Sequence, residues 1–273
     1  MADLLRPDAD AALAEWGRRV RANRDQVDRL REVSDGADFY APVAPSFRAD
    51  PHRQDDPVLK VLRMMARPHE CWVDIGAGGG RYALPLALQT REVIAVEPSN
   101  GMLEVLRSGM EQYGIRNIKI VQGRFPMLGV EGDVSFIAHV SYDIEQIGPF
   151  LATMERIAPR RVAALFERQP TWSADSLWQA IHGEARDTLP SLPEFLVLLI
   201  ARGVLPDVVM IDAQVQSYDS IERALDFARR QTWVRPGSDK DRALERAVRD
   251  RLIERDGRFA YRWEPLRIGV VSW

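Results

Sequence analysis

The chain has 273 residues, enough for one enlarged domain or for a domain with an accessory region. Hydrophobic residues make up 46% and charged residues 28%, a balance typical of globular proteins and unlike that of disordered chains. The net charge of -3 argues against a nucleic-acid partner bound through a global positive field. The single cysteine, Cys71, excludes an intrachain disulfide and a multi-cysteine zinc site.

No segment has the composition of a targeting or membrane-spanning sequence. The first residues lack a basic stretch followed by an apolar stretch, so they do not resemble a signal peptide. The most apolar run, Phe195 to Ala201, is far shorter than the ~20 residues that a bilayer requires. We therefore expect a soluble cytoplasmic protein without a membrane partner.

The N-terminal region predicts an amphipathic helix followed by an arm. Apolar residues recur at spacings of three and four from Leu13 to Val33, which is the period of a helix with one apolar face. The same spacing suits a short coiled-coil seam, so packing on the chain's own domain and homodimer formation through this helix both stay open. Residues 34–57 carry prolines, aspartates and aromatic residues, and we expect them to form an extended arm and not a packed element.

Beyond residue 57, apolar runs alternate with helical patterns, which indicates an α/β fold with a parallel sheet. The candidate strands cover residues 71–75, 93–96, 118–121, 134–140, 162–166, 207–216 and 261–273. Helical patterns between them cover residues 58–66, 81–89, 99–113, 147–157 and 193–202, and two charged helices, at 219–231 and from 238 onward, precede the last strand. We divide the chain into an N-terminal helix and arm at 1–57 and one domain at 58–273, with a helical insertion at 217–257.

The strongest functional signal is a strand that ends in an acidic residue and continues into a glycine-rich turn. Asp74 ends the strand, and Gly76, Gly78 and Gly80 follow at alternate positions. Glycines allow a tight turn and close approach of a ligand to the backbone at the carboxyl end of a parallel strand. Glu97 lies at the end of the next strand, where its carboxylate can accept hydrogen bonds from both hydroxyls of a ribose.

These residues resemble the class I S-adenosylmethionine-dependent methyltransferases, whose first motif is an acidic residue, one spacer and then G-x-G-x-G. The resemblance covers about Leu59 to Phe166. It implies a Rossmann-like, doubly wound, mostly parallel seven-stranded sheet that binds S-adenosyl-L-methionine and releases S-adenosyl-L-homocysteine. In the family, the segment matched by Pro98, Ser99 and Met102 flanks the adenine.

At the end of the third strand the chain departs from the family pattern. The family commonly has a small residue followed by aspartate, whereas Gly123 is followed here by Arg124. An arginine cannot accept a hydrogen bond from the adenine amino group. We therefore expect the backbone near Arg124 and Phe125 to contact the adenine.

At the end of the fourth strand the family places residues beside the transferable methyl group. The matching positions here include Ala138, His139 and Tyr142. We predict that Ala138 and His139 contact the cofactor and that His139 and Tyr142 are catalytic. A sulfonium methyl is already activated, so in-line placement of a nucleophile at ~3 Å and exclusion of water are the main requirements. If the acceptor is a hydroxyl, His139 is the candidate base.

Residues outside the motif are candidates for the acceptor pocket. Tyr40 and Phe47 of the arm are predicted to cover the cofactor as a lid, and His182 with Glu184 is a candidate substrate or acid-base pair. The remaining histidines have no partner at metal-ligand spacing, so we predict no metal site. We expect a small-molecule acceptor.

Two other functional classes stay open at this point. Glycine-rich turns after a strand also bind nicotinamide dinucleotides, so one alternative is a dinucleotide-dependent oxidoreductase. The arginine at position 81 and the carboxylate that ends the first strand argue against it. The other alternative is a non-catalytic methyltransferase-like module for binding or assembly.

Overall fold

The sheet at the centre of the molecule is built from short buried strands separated by helices. The computed structural model describes residues 6–36, 38–126, 129–168, 177–214, 216–261 and 266–273. Its strands are β1 Cys71–Ile75, β2 Glu92–Glu97, β3 Ile118–Gln122, β4 Val134–Ala138, β5 Arg160–Phe166, β6 Asp207–Asp212, β7 Leu252–Arg255, β8 Arg258–Tyr261 and β9 Arg267–Ser272. Its α-helices are α1 Ala9–Leu30, α2 Pro57–Met65, α3 Ala83–Ala87, α4 Asn100–Gln112, α5 Ile147–Ile157, α6 Trp178–His182, α7 Leu192–Ala201, α8 Ile221–Gln231 and α9 Asp239–Arg251.

The main sheet has seven strands in the order β3-β2-β1-β4-β5-β9-β6. The pairs from β3 to β5 are parallel, and β9 is antiparallel to both of its neighbours. The order reverses between β1 and β4, where successive crossovers leave in opposite directions. The predicted doubly wound, mostly parallel seven-stranded sheet is confirmed.

Each face of the sheet has its own apolar core. On one face, α2, α3 and α4 cover side chains such as Trp72 and Phe136. On the other face, α1, α5 and α7 cover side chains such as Val73 and Ile137. Because neighbouring residues of a strand point to opposite faces, both sides of the central strands are apolar, as expected for a parallel sheet buried on both faces.

The N-terminal helix packs on its own chain. Trp16 of α1 is buried, its indole N–H donates to the carbonyl of Ile144 at 2.9 Å, and its ring lies 6.4 Å from that of Phe195 in α7. The apolar stripe that suited a coiled-coil seam is therefore used within the chain.

The expectation of an extended, unpacked arm is wrong for residues 41–47. Ala41–Phe47 forms a 3-10 helix that packs against α4, and Ala44 is buried there with Met102 and Val105. Pro42 lies in the first turn of this helix, where the fixed φ of proline is compatible with helical geometry. The proline content was therefore compatible with a packed element.

The region before the last strand also differs from the expectation. Two helices, α8 and α9, form there, but they are followed by a hairpin of β7 and β8 that the sequence pattern did not indicate. Tyr261, predicted to begin the last strand, ends β8 instead; residues 262–265 of that prediction lie outside the described residues. α6, α8, α9 and the hairpin share a separate apolar cluster, which we call the accessory cluster; it includes Leu177, Leu225, Leu244 and Tyr261.

Gly80 provides a test of how tightly the turn after β1 is packed. A Cβ at Gly80 would lie 2.6 Å from Cδ1 of Leu106, whereas one at Gly114 would meet nothing within 4 Å, and both glycines have positive φ. Alanine in this conformation costs about 1–2 kcal/mol at either position, and overpacking adds about 1–3 kcal/mol at Gly80 alone. We expect Gly80→Ala to lower the melting temperature by roughly 5 °C more than Gly114→Ala. Equal shifts in thermal unfolding would contradict this packing.

Candidate functional site

The predicted motif residues meet at one crevice of the sheet. Ile75, the last residue of β1, pairs with Val96 of β2 and with Ile137 of β4. The carboxyl ends of these strands therefore lie side by side where the strand order reverses, the position at which open α/β sheets bind ligands.

The three motif glycines all have positive φ but differ in what surrounds them. Their φ values are +74° at Gly76, +55° at Gly78 and +87° at Gly80. A Cβ at Gly76 would lie 2.6 Å from Val140, and one at Gly80 equally close to Leu106. At Gly78 the nearest atom would be the Met102 sulfur at 4.0 Å, so this glycine leaves open space beside the turn. Gly78 is the position where a ligand can approach the backbone.

Glu97 holds the glycine turn against the next segment of chain. The N–H of Gly78 donates to Oε2 at 2.9 Å, and the N–H of Ser99 donates to Oε1 at 2.8 Å. Burial raises the pKa of this carboxyl, while the two N–H groups counteract the shift. Each carboxylate oxygen can accept a further hydrogen bond, so both stay able to bind a pair of hydroxyls.

Asp74 is a buried carboxyl with one unpartnered oxygen. Only 2% of the residue is exposed, and no group of the residues that the structure describes donates to Oδ2. Desolvation, and secondly the charge of Glu97, raises the pKa of Asp74 to about 7. An orphaned buried acceptor is costly unless a ligand satisfies it, so Asp74 is suited to bind an N–H or cationic group.

The arm is attached beside Glu97 by another carboxylate that the sequence did not reveal. Asp38 accepts the hydroxyl of Ser99 at 2.9 Å and the N–H of Gly101 at 3.2 Å, while its other oxygen accepts the N–H groups of Tyr40 and Ala41. Ser99 in turn caps α4 by accepting from the N–H of Met102. No local sequence pattern connects residues 38 and 99, since the bond depends on how the arm folds back.

The predicted lid residues lie over the glycine turn. The carbonyl oxygen of Phe47 would be 3.2 Å from a Cβ at Gly79. Tyr40 is 45% exposed and packs edge-on to Phe47. Partial burial of the side chain, and then the charges of Asp143 and Glu97, raise the pKa of Tyr40.

The predicted adenine-side residues surround the same crevice. Gly123 donates its N–H to the carbonyl of Glu97 at 3.2 Å, and the Phe125 ring packs edge-on to that of Phe150. Arg124 and Pro98 are exposed. The positive charge of Arg124 acts to lower the pKa of Glu97 and of Asp143, against the burial that raises both.

At the end of β4, the predicted strand is shorter than expected because His139 adopts a positive φ of 59°. Half-buried Ala138 ends the strand, and His139 turns away while its N–H still donates to the carbonyl of Ala164 at 3.0 Å. The His139 ring stacks on Phe166 with centroids 4.2 Å apart, and its Nδ1 lies 2.9 Å from the hydroxyl oxygen of Tyr142. Burial, and secondly the charge of Arg81, lowers the pKa of His139 to about 4. The ring is therefore neutral at pH ~7.

A second group that the sequence did not single out lies next to the turn. Asp56, almost fully buried, accepts from the guanidinium groups of Arg53 and Arg81 at 3.0 and 2.8 Å and caps α2 through the N–H of Leu59. Both guanidinium groups also face the ring of Tyr82. The Asp-Pro step before α2 was the available signal, because it is typical of a helix N-terminus.

His182 and Glu184 form hydrogen bonds with residues that do not belong to the glycine motif. The two ring nitrogens of His182 bond to the carbonyl of Thr232 and to Lys240, and Glu184 bonds to Gln26 and Arg29 of α1. Their partners connect the accessory cluster to the N-terminal helix. These contacts favour a structural role over an acid-base pair.

Within the described ranges, no group of three or more His, Cys, Asp and Glu side chains is arranged to hold a metal ion. None of the helices found in those ranges combines the length and apolar composition needed to cross a bilayer.

The raised pKa of Asp74 predicts how its replacement changes stability with pH. The folded protein binds this proton more tightly than the unfolded chain, so the contribution of Asp74 to stability falls as pH rises from about 4 to about 7. We expect Asp74→Asn to raise the melting temperature relative to the parent at about pH 8, and to do so much less at about pH 5. Asp25→Asn, at an exposed position of α1, is the control for the substitution. If the difference in melting temperature between Asp74→Asn and the parent were the same at both pH values, the raised pKa of Asp74 would be contradicted.

Comparison with known proteins agrees with this geometry. Residues 73–158 match a family model described as a methyltransferase domain. An uncharacterized protein from Haemophilus influenzae is 38% identical over 55 residues, a segment that spans 20% of each chain.

Two solved structures have the same fold over most of the chain. A putative methyltransferase from Bacillus halodurans has a TM-score of 0.55 at 15% identity, covering 78% of this chain and 97% of that one. A methyltransferase from Thiobacillus denitrificans, solved with S-adenosyl-L-homocysteine, has a TM-score of 0.51 at 16% identity, covering 88% and 98%. The chain thus has the fold of these methyltransferases, and its residues 73–158 match the model of a methyltransferase domain.

Proposed function

We propose that this protein is an S-adenosyl-L-methionine-dependent methyltransferase that acts on a small-molecule acceptor. The observation that carries the proposal is the pair of carboxyls at the crevice. Glu97 is held by the N–H groups of Gly78 and Ser99, and Asp74 beside it has an unpartnered oxygen. The methyltransferase domain match covers the same residues.

The residues at the crevice fit the chemical groups of this cofactor. Glu97 would accept hydrogen bonds from the ribose hydroxyls, and Asp74 would accept from the amino group of the methionine part. Gly78 leaves the space that a ligand next to the turn requires. The segment from Gly123 to Phe125 and the start of α4 at Ser99 and Met102 would enclose the adenine. When bound, the cofactor supplies an activated methyl group.

The acceptor would bind on the side of the crevice formed by β4 and the arm. Two aromatic pairs are candidates for its lining: Tyr40 packs edge-on to Phe47 in the arm, and His139 stacks with Tyr142 after β4. Rings of this kind exclude water around the transferring methyl group, which favours attack by the acceptor over hydrolysis. An aromatic lining next to a covered cofactor suits a small acceptor better than a polymer.

The two alternative functions are less well supported. The dinucleotide fingerprint that starts at Gly76 requires a small residue at position 81, which is an arginine here with its guanidinium bound to Asp56. A non-catalytic module would not need a buried carboxyl with an unpartnered oxygen, since such a group lowers stability without a ligand.

Removal of the Glu97 carboxylate tests the proposal directly. Hydrogen bonds to a charged group are worth about 1.5–3 kcal/mol each, so losing two should weaken binding by roughly 10²- to 10⁴-fold. We expect Glu97→Ala to lose this much affinity for S-adenosyl-L-homocysteine in isothermal titration calorimetry.

Glu104→Ala, at an exposed position of α4, is the matched control and should bind as the parent does. The melting temperature of each variant shows whether the fold is kept. Parent protein that binds the nicotinamide dinucleotide and not S-adenosyl-L-homocysteine would overturn the proposal.

The attachment of the arm through Asp38 allows a test of its role as a lid. Asp38→Ala removes the acceptor for Ser99 and Gly101 of the core and for Tyr40 and Ala41 of the arm. We expect faster proteolysis within residues 38–50 and faster dissociation of S-adenosyl-L-homocysteine. Asp10→Ala in the first turn of α1 serves as the control. An unchanged dissociation rate together with faster proteolysis would show that the arm does not retain the cofactor.

A further inference from the structure

The segment after β4 holds the His139 ring in one orientation. The backbone of His139 has a positive φ, which is uncommon for a residue with a side chain, and its N–H is bonded to the carbonyl of Ala164. The imidazole stacks on Phe166 at an interplanar angle of 22°. Strained conformations of this kind persist where the surroundings enforce them, and they concentrate at functional sites.

The hydrogen bonds around Tyr142 determine which nitrogen of His139 carries the proton. The N–H of Phe166 donates to the Tyr142 hydroxyl oxygen at 2.8 Å, and the same oxygen lies 2.9 Å from Nδ1 of His139. If Tyr142 donates its own proton to Nδ1, both groups are satisfied. If Nδ1 carried the proton instead, the hydroxyl would accept twice, and its proton would have no acceptor among the described residues. The first arrangement is therefore favoured, and it leaves the proton of the neutral ring on Nε2.

Nε2 is available to a ligand. No hydrogen bond joins this atom to any residue of the described ranges, and those residues do not enclose it completely. His139 follows directly after Ala138 at the carboxyl end of β4, next to the glycine turn, where Val140 contacts Gly76. The Nε2–H group is thus a hydrogen-bond donor at the side of the crevice assigned to the acceptor.

We propose that Tyr142 is a positioning residue that fixes His139 as an Nε2–H donor, so that His139 binds an oxygen atom of the methyl acceptor and does not remove its proton. This inference rests on the proposed methyltransferase function. It assigns Tyr142 a role through His139, and it replaces the role of base that the sequence suggested for His139. The neutrality of the ring at physiological pH agrees with it.

The inference limits the chemical class of the acceptor. Its nucleophilic atom must be able to attack without first giving a proton to His139, as a neutral amine, a thiolate or an ionised oxygen can. A lone pair of that atom forms the new bond to the methyl carbon, and the electrons of the broken carbon-sulfur bond stay on the sulfur. A neutral amine becomes a cation and loses its proton to solvent afterwards, whereas an anion becomes neutral. In both cases Nε2–H keeps its proton.

Nitrogen NMR of the histidine side chains tests the tautomer without an acceptor. The chain has four histidines, and His139→Gln identifies the signals of His139 by their loss. In the free parent protein near neutral pH we expect a protonated Nε2 and an unprotonated Nδ1. A proton on Nδ1, or comparable amounts of the two tautomers, would overturn the inference even if no variant were made.

Tyr142→Phe should weaken the preference of the His139 ring for the Nε2–H tautomer. Loss of one hydrogen bond to the ring shifts the ratio of the two tautomers by roughly fivefold toward Nδ1–H. Tyr113→Phe is the matched control, because Tyr113 packs against the ring of His52 away from β4. Unchanged signals of the other histidines show that the fold is kept. A His139 tautomer that does not respond to Tyr142→Phe would show that Tyr142 does not position the ring.

Titration with S-adenosyl-L-homocysteine tests whether the Nε2–H group donates to an oxygen of the acceptor or to one of the cofactor. If Nε2–H faces the acceptor, its proton should still exchange rapidly with water in the binary complex. Protection of this proton on binding would mean that it donates to the cofactor, and it would overturn the inference. Failure of the ligand to bind would overturn the proposed function instead, while the tautomer of the free protein would stand as measured.

Discussion

The structure of the crevice depends on the carboxylate of Glu97. Its two oxygens connect the turn after β1 to the segment that begins α4, because each accepts one backbone N–H. These bonds join the carboxyl ends of β1 and β2, next to the point between β1 and β4 where the strand order reverses. This arrangement also places a carboxylate in a buried position; burial raises the pKa of Glu97 and of Asp74, and the charge of Glu97 raises the pKa of Asp74 further. The same interaction thus shapes the crevice and leaves it electrostatically unfavourable until a ligand with hydrogen-bond donors binds.

The arm packs on the glycine turn beside this crevice. Asp38 attaches the arm to the first turn of α4, and the 3-10 helix that follows packs on the glycine turn. On its other side, the arm region is bound to the accessory cluster through Asp35, which accepts from the indole of Trp233 at 2.7 Å. The arm therefore joins elements that are far apart in sequence, whereas the motif residues come from consecutive strand ends.

The sequence predicted the features that depend on local pattern. The seven main strands, most helices and the motif with Asp74 and Glu97 follow from periodicity and from glycines at fixed spacing. Features that depend on contacts between distant segments could not be read in this way, and the bond from Asp38 to Ser99 is an example. The β7-β8 hairpin was missed because its strands are short, lie within a charged region and are joined by a tight turn at Asp256 and Gly257. The tautomer of His139 likewise depends on Phe166, which is 27 residues away.

The accessory cluster has a consequence for how the molecule unfolds. Its apolar side chains form a core separate from the two that cover the sheet. Regions with their own core often open as separate cooperative units, with a lower free energy of opening than the whole protein. Because Glu32 and Asp35 bind this unit next to the arm, its opening would also loosen the attachment of the arm. Local unfolding in the accessory cluster would then change the mobility of a segment that is far from it in sequence.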